Sequence, residues 1–81
     1  MVIKILGTGC STCKALFNTV EHCIQEMGIQ ATVFKEEDLL KIMEYNILSL
    51  PAMVVDDKVV AVGNLTSKEV KQILTEQNQE K

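Results

Sequence analysis

The chain predicts an α/β domain with the element order β-α-β-α-β-β-α. Three observations carry this. A short apolar run, Val2 to Leu6, ends at Gly7-Thr8-Gly9; a long stretch from Ser11 to Met27 repeats its apolar residues at helical spacing; and two Val-rich runs flank Asp56-Asp57-Lys58 ahead of a helix-capping sequence.

The elements follow in order. Val2–Leu6 is apolar at four of its five positions, as in a strand buried in a sheet centre. The glycines after it let the backbone turn sharply. Leu16, Phe17, Val20, Cys23, Ile24 and Met27 then line one helix face, and Gly28 suits the left-handed cap position. A second strand is expected over 29–34, with Ile29, Ala31 and Val33 on one side. Lys35-Glu36-Glu37-Asp38 would place acidic residues in the first turn of a second helix, whose inner face is Leu39, Leu40, Ile42 and Met43. Asn46 is its stop. Strands over 52–55 and 59–62 follow Leu50-Pro51, and Asp56-Asp57-Lys58 lies between them as their turn. Thr66-Ser67-Lys68-Glu69 is a capping box for a last helix that packs through Val70, Ile73 and Leu74. The whole chain, 1–81, reads as one domain, with 76–81 a polar tail expected to fray.

Composition narrows the function. The 81 residues suffice for one small domain, and 47% hydrophobic content supplies its core. Aromatic residues are few (Phe17, Phe34, Tyr45), so that core rests on aliphatic side chains and methionine. Met27 and Met43 read as core filler, and Met53 as either core or lining of a site near Pro51. A net charge of −3 offers no basic surface for nucleic acid or an anionic membrane. No run approaches the ~20 apolar residues that span a bilayer, and Val2–Leu6 is too short for a signal-peptide core. The expected location is cytoplasmic, where a persistent disulfide is unusual and a close cysteine pair should cycle.

Chemistry concentrates at Cys10-Ser11-Thr12-Cys13. At a helix start this spacing holds the two β-carbons about 5–6 Å apart, close enough to bridge after small adjustment. Free N–H groups and the helix dipole favour a thiolate there. On a helical wheel Cys13 falls inside the apolar face, whereas Cys10 stands at or just before the helix start. An accessible thiol beside a shielded one is the asymmetry that dithiol exchange uses. Cys23 also falls on the inner face, as a small buried hydrophobe, about 15 Å along the helix from Cys13. His22 points outward as solvated surface. Lys14 also points outward, either as plain surface or as a positive neighbour of Cys10.

Three segments together, Leu6-Gly7-Thr8-Gly9-Cys10-Ser11-Thr12-Cys13-Lys14, Ile42-Met43-Glu44-Tyr45 and Leu50-Pro51-Ala52-Met53-Val54-Val55-Asp56, resemble the thioredoxin/glutaredoxin superfamily, and within it the small redox-active disulfide proteins of similar length. The likeness covers nearly the whole chain. It implies a four-stranded mixed sheet flanked by three helices and a thiol–disulfide oxidoreductase. Cys10 would be the nucleophile and Cys13 the resolving thiol. Pro51 would be a cis-proline beside the pair, and Leu50 would offer its backbone to an extended substrate. Gly9, Ser11, Thr12, Leu50 and Pro51 would bind substrate. No cofactor is implied beyond the Cys10–Cys13 disulfide, and no metal. The partners implied are a protein or small-molecule disulfide and a reductase or thiol donor.

The sequence departs from the larger members in several places. No Trp precedes Cys10, neither Gly-Pro nor Pro-Tyr lies between the cysteines, and no buried Asp is evident to accept a proton from Cys13. Ser49-Leu50-Pro51 stands where glutathione-binding relatives carry a Thr/Ser-Val-Pro segment. These departures point to specialised activity. Two other functions use the same residues: a soft-metal module holding Cu(I) between Cys10 and Cys13, and a non-catalytic adaptor. Metal modules of that kind end in a strand, whereas this chain ends in a capped helix.

Overall fold

The computed structural model describes residues 1–8, 11–47 and 49–79. Its elements are β1 (Val2–Leu6), α1 (Ser11–Met27), β2 (Thr32–Glu36), α2 (Leu39–Met43), β3 (Ala52–Val55), β4 (Lys58–Val62) and α3 (Ser67–Gln79). The strands form one sheet in the order β2-β1-β3-β4. β1 runs parallel to β2 and antiparallel to β3, and β3 runs antiparallel to β4, so the sheet is mixed.

Strand alternation sorts the core onto two sides. Ile3 and Ile5 of β1, with Met53 and Val55 of β3, pack against Leu16, Val20, Cys23 and Ile24 of α1 and Val70 and Leu74 of α3. Leu6, Ala52 and Val54 turn the other way and meet Ile42 of α2. The two central strands therefore need apolar residues at consecutive positions, which is why Ala52–Val55 is buried throughout. A fully buried aliphatic side chain contributes about 1.5–3 kcal/mol, and the larger side of the core holds most of them. Met53 belongs to that core and does not line a surface site.

The caps are built as their residues require. Gly28 has φ +66°, and Asn46 ends the α2 turn at φ 56°. Asp56 and Asp57 both take positive φ, 49° and 68°, the conformation a two-residue hairpin needs, and Asp56 Oδ1 also accepts from Val2 N–H at 2.9 Å. Thr66 Oγ1 accepts from Glu69 N–H at 3.2 Å while Glu69 Oε1 accepts from Thr66 N–H at 3.0 Å, which completes the capping box of α3.

Three expectations are corrected. β2 starts at Thr32 and not at residue 29, because the parallel ladder pairs Val2 with Thr32 and continues to Leu6 with Glu36. Ile29 and Ala31 sit in the connection and still pack on the core. Lys35 and Glu36 are consequently strand residues, and Asp38 is the cap of α2, its Oδ1 accepting from Leu40 N–H at 3.0 Å. Of the four residues assigned to the inner face of α2 only Ile42 is buried, since a helix of five residues makes little more than one turn. Leu39, Leu40 and Met43 are exposed. α3 itself runs from Ser67 to Gln79.

Candidate functional site

The site begins where β1 ends. Leu6 is paired on both sides, and the chain then leaves the sheet through Gly7 and Thr8. Gly7 N–H donates to Glu36 O at 3.0 Å, so the exit is fixed to the end of β2. α1 starts at Ser11, and Ser11 and Thr12 are exposed in its first turn. Cys13, the next residue, is buried at 6% exposure. The helix wheel places it there, since it shares the apolar stripe with Leu16 and Val20. Gly9 and Cys10 lie outside the described residues, as does Leu48.

Gly7 is the residue that sequence reasoning undervalued. A β-carbon built on it would collide with Cys13 Sγ and come within 2.8 Å of Cys13 Cβ. The sulfur thus occupies the volume that any other side chain at position 7 would need. Gly7 is required here for space, not for a left-handed backbone. A glycine closing the strand just ahead of the cysteine pair was the signal, though its role as a turn former masked it.

The second edge of the site comes from β3. The Leu50–Pro51 peptide bond is cis. Pro51 is buried, and its carbonyl accepts from Gly63 N–H at 2.6 Å, which joins it to the end of β4. Leu6 pairs with Ala52 as the last step of the antiparallel register. Pro51 therefore immediately precedes the strand residue paired with Leu6, and Gly7 immediately follows Leu6. Leu50 is half-buried against the α2 side of the core.

Other candidate residues lie elsewhere. Cys23 is fully buried, with Sγ 3.6 Å from Ser67 O, and burial pushes its thiol up, opposed by the Lys71 ammonium. His22 is on the surface, 2.7 Å from Glu26 Oε2, and Lys71 Nζ approaches Glu26 Oε1 at 2.7 Å. This trio ties α1 to α3 and takes no part in the cysteine site. Lys14 is exposed. Lys4, on β1, sends Nζ to Tyr45 OH at 3.4 Å and Asp57 Oδ1 at 3.8 Å, and the Tyr45 contact, then Asp57 and Glu36, raises its pKa.

Among the described residues no side chain that is both buried and polar or charged stands beside Cys13. Among them, too, no three His, Cys, Asp or Glu side chains converge so as to hold a metal ion. No described helix is long and apolar enough to cross a membrane.

Comparison with known proteins agrees with this geometry. A family model described as "Thioredoxin domain" matches residues 1–75. A thioredoxin of Methanothermobacter thermautotrophicus is 36% identical over 76 residues, which make up 93% of this chain and 99% of that protein. A thioredoxin of Methanocaldococcus jannaschii is 35% identical over 69 residues, covering 85% of this chain and 79% of that one. The solved structure of thioredoxin 1 from Thermosipho africanus superposes with a TM-score of 0.68 over 98% of this chain and 96% of its own, at 16% identity. A strand that exits through a glycine into a cysteine-bearing helix, a cis-proline just ahead of β3, and a family match over nearly the full length lead to one statement: this chain belongs to the thioredoxin domain family.

Proposed function

We propose that the protein is a thiol–disulfide oxidoreductase of the cytoplasm working through Cys10 and Cys13. The observation that carries this reading is the seat of Cys13: a buried cysteine in the first turn of α1, three residues after another cysteine, in a chain of the thioredoxin domain family. Two relatives that bear the name thioredoxin support the same activity.

The reaction divides between the two sulfurs. Cys10, as thiolate, attacks one sulfur of a substrate disulfide; a mixed disulfide forms and one substrate thiolate leaves. Cys13 then loses its proton and attacks the Cys10 sulfur, which closes the Cys10–Cys13 disulfide and releases the second substrate thiolate. Two electrons pass to the substrate, and a reductase or small thiol returns them. The N-terminus of α1 stabilises the thiolates through its free N–H groups. Gly9, Ser11, Thr12, Leu50 and Pro51 bind the substrate in this reading, with Leu50 offering backbone groups to an extended segment. The disulfide itself is the only redox group required.

Trapping tests the division. Cys13→Ser should accumulate mixed disulfides through Cys10 when mixed with a disulfide-bonded protein such as insulin, and Cys10→Ser should accumulate none. Equal behaviour of the two variants would overturn the assignment. Tight stoichiometric Cu(I) binding by the reduced protein, with no disulfide turnover, would favour the metal-module function instead.

A further inference from the structure

One side of the sheet is poorly covered. Leu6, Ala52 and Val54 mark the α2 side, and residues that alternate with them or pair with them share it. Val2 alternates with Leu6, and Phe34 pairs with Lys4 between them. Val62 pairs with Ala52 and Val59 with Val54. All four of these apolar residues are exposed, Phe34 by 51%. On α2 itself Leu39, Leu40 and Met43 are 56%, 74% and 62% exposed. Every exposed large apolar side chain among the described residues thus lies on the α2 side, and the side covered by α1 and α3 has none. The cause is plain: α2 has five residues where α1 has seventeen and α3 thirteen. Exposed apolar side chains gathered on one side of a small domain mark an interaction surface.

Charge identifies what fits it. The α2 side and its approach carry Glu36, Glu37, Asp38, Glu44 and Asp57, five acids against the two lysines Lys4 and Lys41, and Lys4 is already held by Tyr45 and Asp57. α1, α3 and Lys35 together balance at four lysines against four glutamates. The net negative charge of the chain therefore sits around the apolar patch. A second copy of the chain would bring two acidic rims together, which is repulsive.

We propose that the α2 side of the sheet docks a partner protein whose contact surface sets apolar side chains among lysines or arginines. Its apolar centre covers Phe34, Leu40 and Met43, and its basic rim meets Glu37 and Glu44. The docking rests on surface shape and charge, not on thiol chemistry, so it persists in a variant lacking both Cys10 and Cys13.

A model ligand tests it: a synthetic amphipathic leucine–lysine helix, with a leucine–glutamate helix as control, titrated into the isotope-labelled protein. The leucine–lysine peptide should shift the amides of β2, α2 and β4 and leave those of α3 in place. Leu40→Glu and Glu44→Lys, both at exposed positions, should each weaken it about tenfold with unchanged folding, and raising salt from about 0.05 to 0.5 M should weaken it further. Equal binding of the two peptides, shifts centred on α1 or α3, or self-association through α2 in place of peptide binding would each overturn the proposal. Retention of binding in the Cys10→Ser/Cys13→Ser variant separates this outcome from any failure of the redox assignment.

Discussion

Gly7 and Cys13 share one volume: the sulfur of Cys13 rests where a side chain on residue 7 would have to go. The exit of β1 and the first turn of α1 are packed as a single unit, and Gly7 is further held by its hydrogen bond to Glu36 O. Interiors this close tolerate an added methyl group only by moving neighbours.

Gly7→Ala should therefore displace the Cys13 side chain or the helix start. The expected cost is about 1–3 kcal/mol in urea unfolding, typical of overpacking. Closure of the Cys10–Cys13 disulfide should slow with it, read by quenched-flow alkylation. Thr8→Ala, at an exposed neighbour, is the control and should change neither quantity. Unaltered stability and closure in Gly7→Ala would show that the two residues are not packed as described.

The three cysteines should differ sharply toward iodoacetamide at about pH 7, where only thiolates react. Cys10, the nucleophile of the proposed exchange, should be labelled first. Cys13 is buried and should follow slowly. Cys23 should be spared in the folded protein, because it is fully buried and burial raises its pKa, and should react only on unfolding. Mass spectrometry of digests after brief labelling gives the order. Early modification of Cys23 would contradict its place in the core.

The link between α1 and α3 should leave a signature in the pH dependence of stability. The Lys71 hydrogen bond and charge, with His22 adding to them, hold Glu26 below its ordinary value of 4.5. Its contribution is thus present above about 4.5 and lost as pH falls through the lowered folded value. Glu26 in turn raises Lys71 above 10.5, so that contribution is full below about 10.5 and lost as pH rises through the raised value. Glu26→Gln should flatten both limbs of a plot of urea midpoint against pH. An unchanged acid limb would mean that the carboxylate is not paired in solution.

Thr66→Ala removes one half of the reciprocal cap on α3, leaving Glu69 N–H without its side-chain acceptor. The expected loss is about 1 kcal/mol in thermal or urea unfolding, and Thr66→Ser should retain most of that stability. Equal losses in the two variants would point away from capping.

The sequence by itself determined every element whose signal is local. Periodicity set α1 from Ser11 to Met27, the apolar run set β1, and Thr66 with Glu69 announced the start of α3. The helix wheel also placed Cys13 and Cys23 inward, because on a helix of seventeen residues the angular position of a side chain determines its burial. Tertiary structure decided the rest. The bounds of β2 depend on its parallel register with β1, a pairing between residues about thirty apart that no local pattern encodes. The burial of α2 depends on how much sheet a single turn can cover, so residues of like hydrophobicity, Ile42 and Leu40, end on opposite sides of the surface. The close approach of Gly7 to Cys13 and the pairing of Leu6 with Ala52 likewise exist only once β1, β3 and α1 converge. Spacing in a chain fixes direction within one element, whereas proximity between elements is set by packing, and the shape of the site depends on that packing.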